Sequence, residues 1–432
     1  MRILLVTPCF PPQQASASLR THSMASTWAK HGHAVTVLTT RKRADQVGWS
    51  MPCTGFDLVE LEYSVPWYLE RLRAGYKASS QSSDGSRSTL SRLLLWIRQQ
   101  TGIFSTARMP DLTDWWIDPA VTWARQHGPW DIVVSSYAPY AAHLVARAVK
   151  REGLAPFWIA DYRDLWTENE PFGGLFPFTW IEHREEQACL REANIVVTIS
   201  EGLAAKLRAK SPTPVVVIPN GFDPDAHAGL SPEPAFSLAG QRRIVFTGTL
   251  YPQRQDPEPF LKALAILERE SPGLDKRLAL VVAGAAAAAW RSLLDRQPLP
   301  CVQVHDLLPR DMALRMQRDA DALLLIDWND PTAGVMTSKV FEYLPALAPI
   351  FLIGSPPASP LAAFLKQTGR GVLLPDDPAQ TADFLRHWLS APESVAIEPD
   401  TEFIARFSRE RLALRFLELT LAATPRQTAR AA

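Results

Sequence analysis

Short apolar runs alternate with longer amphipathic stretches in two successive series along the chain. The first series opens at residues 3–7, a run of the kind that forms a buried parallel strand. Residues 18–31 follow with helical spacing, Met24 and Trp28 one turn apart on one face, and Gly32 stands where a helix ends. Further strands are predicted at 35–39, 132–135, 157–160, 195–199 and 215–218. Helices are predicted at 140–152 and at about 179–192, the second of them polar, and Ser200 is placed to cap the next. Residues 224–240 are rich in Pro, Gly, Ala and Ser and lack a period, which predicts a linker. The second series places strands at 244–247, 278–283, 322–326 and 350–353, and helices at 259–268, 338–344 and 379–389. From Ser408 the pattern is helical again, with Leu412, Phe416 and Leu419 at i, i+4 and i+7, and residues 425–432 are expected to fray.

Two strand–helix series predict an α/β protein of two doubly wound domains. The boundaries read as 1–222 for the first, 223–240 for a linker, 241–400 for the second, and 401–432 for a C-terminal helix and tail. Ligands of such folds bind at the carboxyl ends of the strands, and the cleft between the domains is the expected place. One stretch breaks the alternation. Residues 66–108 carry Arg71, Arg73, Lys77, Arg87, Arg92, Arg98 and Arg108 against only Glu70 and Asp84, with Trp67, Tyr68, Tyr76, Trp96 and Phe104 interleaved. Their Ser-rich centre, residues 79–86, reads as a mobile insert. It is either a solvated loop or a basic, aromatic surface for anionic headgroups or a lipid-linked substrate.

Charge and cysteine content narrow the classes. The 432 residues hold 45 Lys+Arg and 45 Asp+Glu, a zero net charge that argues against a nucleic-acid binder. Cys9, Cys53, Cys189 and Cys301 form no CxxC pair, so they read as thiols in a reducing compartment, without zinc or disulfides. The 36 prolines against 21 glycines predict stiff loops. The apolar run 278–290 is shorter than the ~20 residues of a spanning helix, and the N-terminal run ends too early at Pro8 for a signal peptide. A cytoplasmic protein is expected.

The chain has no GxGxxG after its first strand and no GxxxxGK[ST], GxSxG or HExxH, which disfavours dinucleotide enzymes, P-loop proteins, α/β-hydrolases and zincins. Polar groups at strand-to-helix junctions remain, and they suit a phosphate-bearing ligand. In Gly334-Val335-Met336-Thr337-Ser338-Lys339-Val340-Phe341-Glu342, a helix start after a strand offers amides to an anion, Lys339 adds a cation and Glu342 a carboxylate for ribose hydroxyls. A plain Lys–Glu surface pair is the alternative. In Phe246-Thr247-Gly248-Thr249-Leu250-Tyr251-Pro252-Gln253-Arg254, Gly248 permits close backbone approach and Arg254 could fork onto a diphosphate, an ordinary turn being the alternative. Asp161-Tyr162-Arg163-Asp164-Leu165-Trp166-Thr167 follows a strand and suits sugar recognition, or a structural Asp–Arg network. The loop from Pro8 to Ser18 and Arg20 is further anion-site chemistry. The histidines show no metal-ligand spacing; His143 reads as a packed core residue.

Together these segments resemble family 4 of the retaining glycosyltransferases. The resemblance runs through Pro11-Pro12, Ser18-Leu19-Arg20 and Gly32-His33-Ala34-Val35, then Asp111 to Trp116 and Ser135-Ser136-Tyr137-Ala138-Pro139-Tyr140. The 161–167 run is similar to a DxRDxWT signature of a bacterial branch that builds cell-surface polysaccharide and lipopolysaccharide. Pro219-Asn220-Gly221-Phe222-Asp223 is similar to the family's hinge, 246–254 to its donor loop, and 338–344 to its SKxFEYL motif. The resemblance implies a GT-B fold, two Rossmann-like domains facing a central cleft, with the C-terminal helix packing back on the first. It implies a retaining, metal-independent hexosyl- or N-acetylhexosaminyltransferase that uses a nucleotide-diphosphate sugar, UDP first among the bases, and a glycan or lipid-linked acceptor. No cofactor beyond that co-substrate and no nucleic acid is implied, and the insert 66–108 would give peripheral contact with the inner face of the plasma membrane. Donor-binding residues would be Gly248, Thr249, Arg254, Gly334, Val335, Met336, Ser338, Lys339 and Glu342. Acceptor-side residues would be Ser18, Arg20, Tyr137, Arg163 and Asp164. Asp161, Lys339 and Arg254 would carry the chemistry, Asp161 against the sugar or acceptor and the two cations on the diphosphate. The sequence departs from the family at Gly334, where the first Glu of E-x7-E is expected. That departure leaves a catalytically silent sugar- or partner-binding subunit as the competing reading; a nucleotide-sugar epimerase fits the motifs poorly.

Overall fold

A computed structural model describes residues 1–48, 51–69, 96–169, 172–236, 240–251, 254–328 and 336–423. The chain divides into two compact units, one of residues 1–219 with 412–432, the other of 220–411.

Among the described residues the first unit holds seven parallel strands: β1 (Arg2–Val6), β2 (Ala34–Thr40), β3 (Asp57–Leu61), β4 (Ile132–Tyr137), β5 (Phe157–Tyr162), β6 (Ile195–Thr198) and β7 (Val215–Val217). Their order is β3-β2-β1-β4-β5-β6-β7, so the order reverses direction between β1 and β4. Helices α1 (Ser16–Lys30), α2 (Asp114–His127), α3 (Ala141–Arg151), α4 (Phe178–Glu192) and α5 (Glu201–Lys210) cover the sheet. β4 is buried at all six positions, as a parallel strand covered on both faces must be. Trp116, Trp158 and Trp166 fill one face of the sheet and Phe10, Trp28 and Phe416 the other.

The second unit repeats the plan with β8 (Arg242–Thr247), β9 (Leu278–Ala283), β10 (Val302–His305), β11 (Ala322–Ile326), β12 (Ile350–Ile353) and β13 (Gly371–Leu373) in the order β10-β9-β8-β11-β12-β13. Its helices are α6 (Glu258–Glu270), α7 (Ala287–Arg296), α8 (Arg310–Arg318), α9 (Ser338–Tyr343), α10 (Pro360–Gln367), α11 (Pro378–Ser390) and α12 (Thr401–Ala405). The direction of strand order reverses here between β8 and β11. The last helix, α13 (Arg409–Ala423), begins in the second unit and continues in the first. There Leu412 and Phe416 are buried, each contributing about 1.5–3 kcal/mol relative to exposure, and the Trp28 indole donates to the Ala413 carbonyl at 2.8 Å.

The apolar patterns found most strands and part of the helices they alternate with. They missed β3, β10 and β13, which lie towards the sheet edges and are only half-buried, so their sequences lack a continuous apolar run. They also missed the amphipathic α2, whose Pro119 occupies an interior position, and the short helices α7, α8, α10 and α12. Residues 223–240, expected as a linker, belong to the second unit. Asp223 there accepts from the Asp225 amide at 3.0 Å, and the Ala235 amide donates to Asp319 at 2.7 Å. Of the insert 66–108, residues 70–95 lie outside the described residues. Trp67, Tyr68 and Trp96 at its described ends are exposed. Arg108 is not part of a basic surface: it is buried and ion-paired with Glu182 at 2.9 Å, and it donates to the Thr167 carbonyl at 2.7 Å.

Candidate functional site

The site of the second unit begins where β8 ends. Gly248 takes φ +108°, a conformation glycine tolerates and other residues resist. Its amide donates to the Ala283 carbonyl at 2.8 Å, and its carbonyl accepts from the Ala286 amide at 3.0 Å. Gly284, at φ +116°, stands so close that a Cβ there would lie 3.0 Å from the Gly248 nitrogen. The loops after β8 and β9 are thus joined backbone to backbone, an approach that a side chain at position 284 would obstruct.

Lys339 reaches this junction from α9. Its Nζ lies 3.6 Å from the centroid of the Phe246 ring and donates to the Thr249 carbonyl at 3.0 Å. A Cβ on Gly248 would come within 3.3 Å of the Lys339 Cε, so the glycine makes room for the lysine. Lys339 is buried and has no ion pair among the described residues. Burial pushes its pKa down to about 7, partly opposed by the Glu342 charge. One turn on, the Tyr343 hydroxyl accepts from the Thr247 amide at 3.0 Å, and Gln317 donates to the Thr247 hydroxyl at 2.8 Å. Glu342 faces elsewhere: it pairs with Arg310, the first residue of α8, at 3.0 Å, both half-buried. Lys339 and Glu342 are therefore not the surface pair that their spacing allows. The Arg254 guanidinium lies 5.7 Å from the Trp328 ring centroid, and Tyr251 packs on the same indole at 5.6 Å.

The other expected donor residues are placed as follows. Thr249 is exposed and Ser338, the first residue of α9, half-buried. Met336 packs against the apolar core. Gly334 and Val335 lie outside the described residues.

The carboxyl ends of β4 and β5 in the first unit carry a different cluster. Arg20 forks onto Asp161, Nε to Oδ2 at 3.1 Å and Nη2 to Oδ1 at 2.9 Å, and also donates to the carbonyls of Ile218 and Pro219 at 3.0 and 2.7 Å. Ser136 donates to Asp161 Oδ2 at 2.9 Å and accepts from Arg163 Nε at 3.1 Å. A second Arg163 nitrogen donates to the Ala138 carbonyl at 2.9 Å. Asp161 is wholly buried, and Arg20 nearly so. Tyr137 is buried too; its hydroxyl donates to the Ala107 carbonyl at 2.9 Å, so it anchors a loop and presents no surface to a ligand here. Asp164 is exposed. Ser18 is buried, its hydroxyl without a partner among the described residues.

The 161–167 motif is held from behind. Trp166 stacks on Tyr140 at 5.1 Å, and the Trp166 and Thr167 carbonyls accept from Arg108 at 3.2 and 2.7 Å. Glu182 and Glu186 on α4, the helix that read as polar, are both buried, on Arg108 and on Lys210 at 2.9 Å respectively. His143 is a packed core residue: its Nδ1 shares a 2.7 Å hydrogen bond with Ser135, and burial lowers its pKa to about 3. Among the described residues no group of three or more His, Cys, Asp or Glu could share a metal ion. Asp223 and Asp225 lie in a turn, and Asp319 and Asp321 pair with Arg318 and Arg242. No helix among the described residues is long and apolar enough to cross a membrane.

Sequence reasoning missed Gly284, Arg310 and Gln317. Each acts through an element remote in sequence, and nothing local marks them.

Residues 17–221 match the family model described as a glycosyl transferase 4-like domain. No curated protein matches the chain by sequence. Solved structures share the fold: sucrose-phosphate synthase from Thermosynechococcus elongatus aligns at TM-score 0.62 and 15% identity, covering 98% of each chain. The α,α-trehalose 6-phosphate synthase of Burkholderia multivorans aligns at 0.57 and 12%, covering 98% of this chain and 99% of its own. WaaG, a glycosyltransferase involved in lipopolysaccharide biosynthesis, aligns at 0.54 and 15%, covering 98% of each. The first unit thus matches a glycosyl transferase 4-like domain over residues 17–221, and the fold is the GT-B fold of those structures.

Proposed function

We propose that this protein is a retaining glycosyltransferase that moves a sugar from a nucleotide-diphosphate donor to a glycan or lipid-linked acceptor in cell-surface polysaccharide synthesis. The observation that carries the reading is Lys339: a buried lysine without an ion pair among the described residues, at the carboxyl end of the strand where the sheet order reverses. Open α/β sheets bind ligands at that place, and a buried cation is stable when an anion joins it. A diphosphate supplies that anion. Arg254 would share its charge, and Glu342, held by Arg310, would take the ribose hydroxyls. The acceptor would bind the first unit near Arg163 and Asp164.

In the reaction the anomeric C–O bond to the diphosphate breaks and a new C–O bond forms to the acceptor hydroxyl on the same face. The hydroxyl proton passes to the leaving diphosphate oxygen. The protein's part is to place the two substrates and to stabilise charge on the leaving group. Exposed Trp67, Tyr68 and Trp96 beside the basic insert support peripheral contact with an anionic membrane face.

A thermal-shift titration with UDP, GDP, ADP and dTDP tests the reading. A ligand at ~100 times its dissociation constant stabilises by ~2.7 kcal/mol. The expected result is a shift with one diphosphate, UDP first, that Glu342→Ala abolishes. No shift with any of the four would favour a silent subunit, the reading Gly334 suggests.

A further inference from the structure

Two chain segments diverge where the strand order of the second unit reverses: the loop after β8, which carries Thr249, Tyr251 and Arg254, and the segment after β11, which begins Asp327-Trp328. Among the described residues one side chain joins them by hydrogen bonds at both ends. Gln255 is 5% exposed; its Nε2 donates to the carbonyl of Ile326, the last residue of β11, at 2.6 Å. Its Oε1 accepts from the Tyr251 amide at 3.1 Å, and its own amide donates to the Tyr251 carbonyl at 3.0 Å. Tyr251 and Gln255 are thereby tied to each other and to the end of the neighbouring strand. Arg254, next to Gln255, lies over Trp328, which leaves β11 two residues after the pinned carbonyl. Asp327 between them is fixed from a third segment, accepting from the Ser355 hydroxyl at 2.6 Å.

A buried amide with both ends satisfied costs little to keep and much to break, because each lost bond strands a backbone group. A connection from a strand to a helix needs no such brace for stability alone, since glutamine loses much side-chain entropy when buried. What the brace does fix is where Arg254 stands relative to Lys339, whose Nζ holds the same loop at Thr249. We propose that Gln255 is a positioning residue, which holds the Arg254 guanidinium in register with Lys339 for the diphosphate of the donor. The role rests on the donor-site reading above.

The test separates a diphosphate effect from a general one. Calorimetric titrations use whichever of UDP, GDP, ADP and dTDP binds the wild type tightest, and the corresponding monophosphate. In Gln255→Leu the diphosphate dissociation constant is expected to rise roughly tenfold, the scale of one well-placed hydrogen-bonding group. The monophosphate constant should stay within about twofold, and in an Arg254→Ala background Gln255→Leu should add nothing further. Gln255→Glu, which keeps the acceptor for Tyr251 and loses the donor to Ile326, gives the same readout should the leucine variant fail to fold. Unchanged diphosphate affinity, equal loss for both nucleotides, or full additivity with Arg254→Ala would each overturn the positioning role. Failure of the wild type to bind any of the four diphosphates would overturn the donor-site reading, and this role with it.

Discussion

The two clusters at the carboxyl ends of the two sheets treat buried charge in opposite ways. In the first unit Asp161 receives a forked arginine and a serine, and Arg20 spends its remaining donors on two carbonyls. In the second unit Lys339 has an aromatic face and one carbonyl, and no ion pair among the described residues. A saturated ion pair is a brace, expensive to break and indifferent to ligands. A buried cation left without a counter-ion is unfavourable alone and favourable with an anion bound. On the proposed function the Arg20–Asp161 pair is a brace and Lys339 a ligand group, although both clusters lie at the carboxyl ends of their sheets.

The largest expected effect tests the first half of that contrast. Asp161→Ala leaves Arg20 buried without its carboxylate and should cost about 3–5 kcal/mol, seen as a fall in melting temperature on the order of 10 °C. A melting temperature within a degree or two of the wild type would remove the distinction. Next, Lys339→Ala should lower turnover by more than ~100-fold, as expected for one preorganised charge-stabilising group, while leaving thermal stability unchanged or raised. Near-normal turnover would return Lys339 to the category of packing residues. Third comes pH. With its pKa near 7 in the empty site, Lys339 is charged below that value and must take up a proton to hold an anion above it. Nucleotide-sugar affinity should therefore fall as pH rises from 7 to 9, by up to roughly tenfold per unit. Lys339→Arg, which keeps its charge, should flatten the profile; a flat wild-type profile would contradict the assignment. The smallest effect is a null one: EDTA should leave turnover within about twofold, because in the proposed reaction Lys339 and Arg254 would stabilise the diphosphate without a metal.

The same contrast explains what could be read from residues alone. Asp161 and Arg163 stood out at the end of an apolar strand, and Lys339 and Glu342 in the helix that follows another, because charged side chains at such places are visible in one dimension. Their partners were not. The Lys339–Glu342 spacing suggested a shared face, yet the lysine turns to Phe246 and the glutamate to Arg310, because each meets a different neighbouring element. Tyr137 read as an acceptor-side group and is instead a buried anchor on the Ala107 carbonyl. Arg108 read as part of a basic surface and is buried on Glu182, enclosed by Gly102 and Gly174, where any side chain would strike it.

The alternation of apolar and amphipathic stretches by itself determined the two doubly wound sheets, since a strand covered on both faces must be apolar along its length and the helices between must carry one apolar stripe. It also determined which polar groups stand at the strand ends, because those positions follow from where each apolar run stops. Only the tertiary structure decided which of those charges neutralise one another and which has no ion pair among the described residues. Pairing depends on side chains brought together from residues as far apart as Arg20 and Asp161, or Gln255 and Ile326. No local pattern carries that distance: burial sets the energy of a charge, and burial is a property of the packed elements.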